Sequence, residues 1–405
     1  MRGLSDRGVL RDRAAGDKSM SSRKKIIHLI TRLDFGGAQQ NTLWTVGHLN
    51  PEKYEAVLAS GKGGALDGEA RENARQGQYR AVFFSSLIRE ISPLRDFLAV
   101  FLLWRFFRKE KPDIVHTHSS KAGILGRLAA WASGVKIIVH TYHGFGFHDF
   151  QNPLVKKIYV FLERLCARFS RALIFVSRAN WDYALKNGIG PQSRFHLIRS
   201  GVDLSRFPAK VEDRALKKKE LGFNADALLV VSIGNLKPQK NPLDFVEMAA
   251  KVSAEVPQAQ FLFIGDGPLR SKAENFSREL GVFEKIRFPG WRKDADEWMA
   301  VADVFILTSL WEGLPRALVE AMKSGLPCAA YAVDGVSDMI HDGENGFLIP
   351  VKEVELLSKR VIEFLRNPDL RRKMGLQAAK SVAEEFDINQ MVQEQEALYF
   401  NLLGN

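Results

Sequence analysis

The sequence has few cysteines, no long apolar run and no hydrophobic segment at its N-terminus. Its two cysteines, Cys166 and Cys328, are 162 positions apart and belong to no CxxC or Cys/His pattern. This excludes a disulfide scaffold and a zinc ribbon, and it favours a reducing compartment. The longest nearly apolar stretch, residues 97–104, is far shorter than the roughly 20 residues of a membrane span. Without a signal-peptide pattern, we expect a cytoplasmic protein.

Basic residues are unevenly distributed along the chain. Through Ser205 there are 32 Lys and Arg against 17 Asp and Glu, a balance of +15, whereas the remainder has 26 against 30, a balance of −4. Such asymmetry indicates that one half faces a polyanion or an anionic membrane. No helix-turn-helix, zinc-finger, KH or RNP pattern accompanies the basic residues, so we expect no nucleic-acid partner. A solvated basic surface without any partner is the alternative.

Apolar strand patterns alternate with helical patterns over two long blocks. Residues 1–22 are polar and aperiodic, which predicts a disordered extension. The alternation starts at Lys25, stops in the charged stretch 208–226, and then starts again. Strand-helix alternation predicts parallel sheets covered by helices on both faces. We therefore predict an α/β protein with two Rossmann-like domains facing a central cleft, residues 23–207 and 208–385, and a last helix over 386–405 that crosses back to the N-terminal domain.

The segment WEGLPRALVEAMKSGLP holds two glutamates eight positions apart, Glu312 and Glu320. After Glu312, a turn formed by Gly313, Leu314 and Pro315 opens a helix. Free backbone N–H groups and the positive dipole end favour an anion or sugar hydroxyls there. An acid/base pair would need both carboxylates to flank one bond, so we expect them to contact different parts of one ligand. The alternative is that one glutamate is a solvated helix residue and the other a charge at the start of the helix.

This spacing resembles the retaining nucleotide-sugar glycosyltransferases of the GT-B fold, family 4. Other segments match the family in order and spacing, together covering about residues 25–385. In the second half they are SGVDLSRF at 200–207, GNLKPQKNP at 234–242, IGDGP at 264–268, FPGW at 288–291 and DGENGFLIP at 342–350. In the first half, LDFGGAQ, HTHSSKAG and HTYHGFGF resemble the branch that builds bacterial capsule, exopolysaccharide and O-antigen repeats.

The resemblance implies that the C-terminal domain holds a UDP- or GDP-linked sugar. Glu320 would accept hydrogen bonds from the ribose, and Glu312 with the amides of the following turn would hold the sugar. Lys240 would stabilise the leaving diphosphate. Asn235 occupies a position where the family often has arginine, and Lys237 is the candidate substitute for that missing cation. Retention would follow from attack on the face that the phosphate leaves.

For the N-terminal domain, the resemblance implies that Gly36 and Gly37 touch the donor phosphates and the acceptor. The histidine at the position of His143 contacts the donor sugar near the reacting carbon. His118 and Lys121 would line the acceptor side, where Lys121 would pair with a pyrophosphate. The catalytic candidates are Glu312, His143 and Lys240, and the donor-binding candidates are Gly36, Gly37, Asn235, Lys240, Trp291, Gly313, Leu314, Pro315 and Glu320.

Four histidines, His116, His118, His140 and His143, lie near the ends of two predicted strands, and His116 and His118 share one face of theirs. A metal site is one interpretation. Neither Asp nor Cys with ligand spacing accompanies them, and no Asp-x-Asp motif lies at a strand end. We therefore expect no metal and no other cofactor, with His116 and His140 structural.

The helical segment 93–111 is rich in aromatic and basic residues. It predicts either a core helix on the sheet or an interfacial helix on anionic lipid. The basic N-terminal half favours lipid, hence a peripheral protein on the inner face of the cell membrane. The family branch implies a polyprenyl-pyrophosphate-linked saccharide as acceptor.

Two other functions compete with a glycosyltransferase. The first is a nucleotide-sugar 2-epimerase of the same fold, which needs no acceptor. The second is a non-enzymatic basic protein that binds membrane or nucleic acid, which leaves the Glu312/Glu320 segment unexplained.

Overall fold

The computed structural model describes residues 23–147, 151–208 and 211–404, so the extension predicted at 1–22 lies outside the described residues. Among these residues, no helix has both the length and the apolar character needed to cross a bilayer.

The first domain is a seven-stranded parallel sheet in the order β3-β2-β1-β4-β5-β6-β7. Its strands are β1 Lys24–Ile30, β2 Tyr54–Gly61, β3 Arg80–Phe84, β4 Ile114–His118, β5 Ile137–Tyr142, β6 Ala172–Phe175 and β7 Phe195–Leu197. The connecting helices are α1 Gly37–His48, α2 Asp67–Arg75, α3 Pro93–Glu110, α4 Ser120–Ala132, α5 Pro153–Phe169 and α6 Arg178–Lys186.

The second domain is a six-stranded parallel sheet in the order β10-β9-β8-β11-β12-β13. Its strands are β8 Leu228–Ile233, β9 Ala259–Ile264, β10 Ile286–Gly290, β11 Val304–Leu307, β12 Cys328–Tyr331 and β13 Gly346–Ile349. Its helices are α7 Arg214–Glu220, α8 Pro242–Glu255, α9 Arg270–Glu279, α10 Ala295–Ala300, α11 Arg316–Lys323, α12 Val354–Arg366 and α13 Pro368–Ser381. Two Rossmann-like sheets confirm the predicted fold class.

The last helix, α14 (Ile388–Leu402), packs on the first sheet rather than on the second. Its Met391, Leu398 and Tyr399 share a buried cluster with Ile26 of β1 and Ile114 of β4. The chain therefore passes between the domains twice. The two passages run side by side, because the Val202 amide donates to the Phe386 carbonyl at 2.8 Å and the Ile388 amide donates to the Val202 carbonyl at 2.9 Å.

Helices cover both faces of the central strands of the first sheet, so these strands are apolar along most of their length. Four buried histidines interrupt this pattern: His28 in β1, His116 and His118 in β4, and His140 in β5. His28 and His116 are register partners on adjacent strands. Polar side chains are thus concentrated in the part of the sheet that leads to the cleft.

Candidate active site

The start of α1 meets the start of α11 across the cleft. A Cβ atom on Gly37 would lie 3.1 Å from Cδ of Arg316, so glycine allows this close approach. Arg316 Nη1 also donates to Oε1 of Gln40 at 2.5 Å. Gly36 precedes α1 in extended backbone, with φ 170. Two helix N-termini, each with a positive dipole end, therefore face one cleft.

The turn after Glu312 touches the end of β5. A Cβ atom on Gly313 would overlap the His143 carbonyl and lie 2.8 Å from the Gly144 amide nitrogen, so only glycine fits there. The carbonyl of Gly313 accepts from the Gly335 amide at 3.1 Å. This places the predicted sugar-binding turn directly beside His143.

Lys240 and Glu312 form an ion pair. Lys240 Nζ is 2.5 Å from Oε1 of Glu312, and the two side chains are only 14% and 8% exposed. The Glu312 amide donates to Oδ2 of Asp334 at 2.8 Å, which fixes the backbone at the start of the turn. The structure thus brings two of the three predicted catalytic residues into contact.

A second lysine lies close to this pair. The pKa of Lys237 is lowered to about 8, first by burial and then by the positive charge of Lys240, while the negative charge of Glu312 opposes the shift. The positive charge of Arg89, in the first domain, also lowers the pKa of Lys237. Cationic groups from both domains therefore converge on one region, which suits a diphosphate.

Asn235 and Trp291 contact the loop that precedes Gly36. Asn235 Nδ2 donates to the Phe35 carbonyl at 3.1 Å. The rings of Trp291 and Phe35 have centroids 5.3 Å apart and are tilted by 31°. Both residues, expected on the donor, connect the two domains at the edge of the cleft, and their contact with a donor stays a prediction.

Glu320 lies one helical turn after Arg316, and the two side chains approach to 3.9 Å. Burial raises the pKa of Glu320, while the positive charges of Arg316 and Arg206 oppose that shift. Leu314 is buried in the core of the second domain, so only its backbone is available to a ligand. Pro315 directly precedes α11 and has no N–H to offer.

The two predicted acceptor-binding side chains have partners inside the first domain. His118 is buried, with Nε2 at 3.0 Å from Nδ1 of His28 and Nδ1 at 3.0 Å from Nε2 of His143. Lys121 Nζ is 2.5 Å from Oδ1 of Asp96. In this conformation both side chains are engaged, and their contact with an acceptor stays a prediction.

The two histidines expected to be structural are also buried. His116 bonds Tyr399 and Thr141 through its two ring nitrogens, at 2.5 and 2.7 Å. His140 Nδ1 lies 2.9 Å from Oγ1 of Thr117. Both rings are thus held away from solvent.

Sequence reasoning missed Arg316, His28 and Tyr399. Arg316 directly follows the Gly-Leu-Pro turn, so its place at a helix N-terminus was available as a signal. His28 is the polar residue inside the apolar run IIHLI, which indicates a buried hydrogen bond. Tyr399 has no comparable signal, because only the return of α14 to the first sheet brings it to the histidines.

The chain matches two family models and many known proteins. The model of Glycosyltransferase Family 4 matches residues 35–206, and the model of glycosyl transferases group 1 matches residues 213–381. UDP-Gal:alpha-D-GlcNAc-diphosphoundecaprenol alpha-1,3-galactosyltransferase of Escherichia coli is 32% identical, covering 96% of this chain and all of that protein. N-acetyl-alpha-D-glucosaminyl L-malate synthase of Bacillus anthracis is 30% identical, covering 73% of this chain and 76% of that protein.

Solved structures have the same architecture. HepE of Anabaena in complex with UDP and glucose superposes with a TM-score of 0.80 at 20% identity, covering 94% of this chain and all of that one. Sucrose-phosphate synthase of Thermosynechococcus elongatus gives 0.78 at 18% identity, over 94% of this chain and all of that one. With the full-length match to the E. coli enzyme, these findings show that the chain is a glycosyltransferase and belongs to family 4, with the GT-B fold.

Proposed function

We propose that the protein transfers a hexose or N-acetylhexosamine from a UDP- or GDP-linked donor to a lipid-linked saccharide, with retention, in bacterial surface polysaccharide synthesis. The observation that carries this proposal is the buried Lys240–Glu312 ion pair beside the Gly313–His143 contact. The E. coli relative, whose name gives a UDP-galactose donor and a diphosphoundecaprenol-linked acceptor, matches over its full length. UDP-galactose is therefore the first donor to test.

The ion pair suggests how donor binding and chemistry are linked. A donor diphosphate would compete with Glu312 for Lys240 and would gain the nearby charge of Lys237. Glu312 would then be released towards the sugar, on which positive charge grows as the bond to phosphate breaks. Glu320, one turn into α11, would accept hydrogen bonds from the ribose hydroxyls.

An exposed apolar surface supports a lipid-linked acceptor. On α3, Leu94, Phe97 and Phe101 are exposed, and on α5, Leu154 and Phe161 are exposed. These residues lie in the N-terminal halves of the two helices, which follow the carboxyl ends of β3 and β5. The apolar surface thus lies at the edge of the sheet that faces the cleft.

Basic side chains surround this apolar surface. Arg95, Arg105, Lys157 and Arg164 are exposed on the same two helices. Apolar side chains flanked by cations suit the interface of an anionic bilayer. The other face of α3 packs on the sheet through Ala99, Leu103 and Phe107. We propose that the α3/α5 surface holds the protein on the inner face of the membrane.

Co-sedimentation with phosphatidylglycerol and phosphatidylcholine vesicles tests the membrane contact. We expect stronger binding to the anionic vesicles, which weakens as salt screens the charges. Phe97→Ser with Phe161→Ser should reduce binding, whereas Phe400→Ser, which changes an exposed phenylalanine of α14, should not. Equal binding to both vesicle types would contradict the electrostatic part of the proposal.

The transfer reaction is tested with a panel of nucleotide sugars and two acceptor classes. A thermal-shift screen first identifies the donor. Sugar transfer is then followed to a polyprenyl-diphosphate N-acetylglucosamine and to L-malate, the small acceptor in the name of the B. anthracis relative. We expect transfer to the lipid-linked acceptor alone. Conversion of the nucleotide sugar without any acceptor would instead favour a 2-epimerase.

A further inference from the structure

Three histidine rings form a continuous hydrogen-bonded chain beneath the cleft. Nδ1 of His28 is 3.0 Å from Nε2 of His118, and Nδ1 of His118 is 3.0 Å from Nε2 of His143. His28 and His118 are buried, whereas His143 follows β5 and touches Gly313 through its backbone. This row of hydrogen-bonded histidines therefore runs from inside the first domain to the predicted reaction site.

At its inner end, the row of histidines contacts α14 through Tyr399. The Tyr399 hydroxyl is 3.4 Å from Nε2 of His28 and 2.5 Å from Nδ1 of His116. On its other side, the His116 ring forms a hydrogen bond between Nε2 and Oγ1 of Thr141 at 2.7 Å. Tyr399 is fully buried, so its hydroxyl has no solvent to bond instead.

The protons along this chain are mutually dependent. Burial lowers the pKa of His28 to about 3 and that of His143 to about 4, and it holds the pKa of His118 well below its usual value. Each ring is therefore neutral near pH 7 and has one N–H. Each pair of facing nitrogens needs one proton between them. Only two arrangements satisfy all links, with every N–H directed either towards Tyr399 or towards His143.

The distances favour protons directed towards Tyr399. A phenol O–H is a strong donor and makes the shorter contact, to His116, so its oxygen is left to accept from Nε2 of His28. His118 then donates to His28 through Nε2, and His143 donates to His118 through Nε2. Nδ1 of His143 is left without a proton, and this buried atom has no hydrogen-bond partner among the described residues.

A metal is the competing explanation for this cluster. Ring nitrogens of His28, His116 and His118 lie within 4.8 Å of one another in the described part of the chain. However, all six of their nitrogens have hydrogen-bond partners. No carboxylate belongs to the group to balance a divalent charge. The hydrogen-bonded chain accounts for the arrangement without an ion.

We propose that His28, His118 and Tyr399 are positioning residues that fix the tautomer of His143, so that its Nδ1 accepts a hydrogen bond from a hydroxyl of the bound sugar. The second half of this statement rests on the proposed function. The first half concerns only the protein. Through Tyr399, the C-terminal helix α14 would thus help to position His143.

Nuclear magnetic resonance of protein labelled with ¹⁵N in histidine tests the tautomer without any substrate. We expect His143 to be protonated at Nε2 in the wild type. In Tyr399→Phe, which keeps the ring volume, we expect loss of a single His143 tautomer. His140→Gln is the matched control, because it changes a buried histidine that is not hydrogen-bonded to His28, His118 or His143. It should leave the His143 signal unchanged.

Kinetics provide the second readout. Tyr399→Phe should lower kcat about tenfold with a smaller change in donor KM, a size suited to one misdirected hydrogen bond. His143 protonated at Nδ1 in the wild type, or stoichiometric metal in the purified protein, would overturn the tautomer assignment. A fixed tautomer in a protein that transfers no sugar would refute the proposed function alone.

Discussion

The two sides of the cleft differ in how their polar groups are charged. The second domain offers ion pairs, Lys240–Glu312 and Arg316–Glu320. Beside the predicted sugar position, the first domain offers neutral imidazoles, because burial lowers the pKa of His28 to about 3 and that of His143 to about 4. Its Arg89 acts instead at the phosphate side, near Lys237. Charge is thus concentrated where a diphosphate would leave, and neutral hydrogen bonding where a sugar would be held.

This difference suggests a division of labour. If the proposed function holds, the interactions of the charged side would change most when the bond to phosphate breaks, so this side should control the rate of the chemical step. The neutral side would keep its hydrogen bonds through the reaction and should mainly control orientation. Variants on the two sides should therefore separate in their effects on kcat, donor KM and stability.

Removing the cation on the charged side should have the largest effect. We expect Lys240→Met to lower kcat by about 10²–10³, because one preorganised charge on the leaving group is lost. It also leaves the buried Glu312 unpaired, which costs about 3–5 kcal/mol in the free energy of unfolding. Adding Glu312→Gln should restore much of the stability but no activity. Lys251→Met, which breaks the exposed ion pair with Glu355, is the control. It should change kcat and the free energy of unfolding only slightly.

The ribose contact should have a smaller effect, and on donor KM. Glu320→Gln should raise donor KM about tenfold with kcat nearly unchanged, because an amide oxygen accepts hydrogen bonds less strongly than a carboxylate. Steady-state kinetics with varied donor measure this. An unchanged KM would mean that Glu320 serves only to pair with Arg316.

The buried histidines of the neutral side should make the free energy of unfolding depend on pH. The unfolded chain binds a proton on His28 below about pH 6.5, whereas the folded chain does so only near pH 3. Stability is therefore complete above pH 6.5 and falls with acidification, by about 1.4 kcal/mol per pH unit for each such histidine. Urea denaturation from pH 7 to about pH 5 should show a shallower slope for His28→Gln. The exposed His341→Gln should keep the wild-type slope.

Chelation should have the smallest effect. If Lys240, Lys237 and the helix N-terminus neutralise the diphosphate, we expect the transfer rate to be unchanged by EDTA. Turnover that is abolished by EDTA and restored by Mg²⁺ or Mn²⁺ would show that these cations do not suffice.

Much of the fold could be predicted, because its buried parallel strands are continuous apolar runs. Runs such as DIVHTH and ADVFILTS correspond to β4 and β11. The strand β3, Arg80–Phe84, is hard to predict because it is a short edge strand whose side chains are at most partly buried. Edge strands lack the buried alternation that makes central strands recognisable.

The site was predictable where its residues are close in sequence. Glu312 and Glu320 lie on one turn and one helix, so spacing alone placed them together. The contacts of Asn235 with Phe35 and of Gly313 with His143 join residues some 170 to 200 positions apart. They depend on how the two domains meet. Tyr399 was missed because it reaches the histidines only through the return of α14 to the first sheet.

The most direct test of this division of labour is the kinetics of Glu312→Gln, because Glu312 pairs with Lys240 and is proposed to face the sugar. The substitution keeps the side-chain volume, and circular dichroism should confirm folding. We predict that kcat falls by a factor of about 10 to 1,000 while donor KM changes less, because the lost charge acts mainly in the transition state. Unchanged kcat with lost donor affinity would contradict the account and make Glu312 a binding residue.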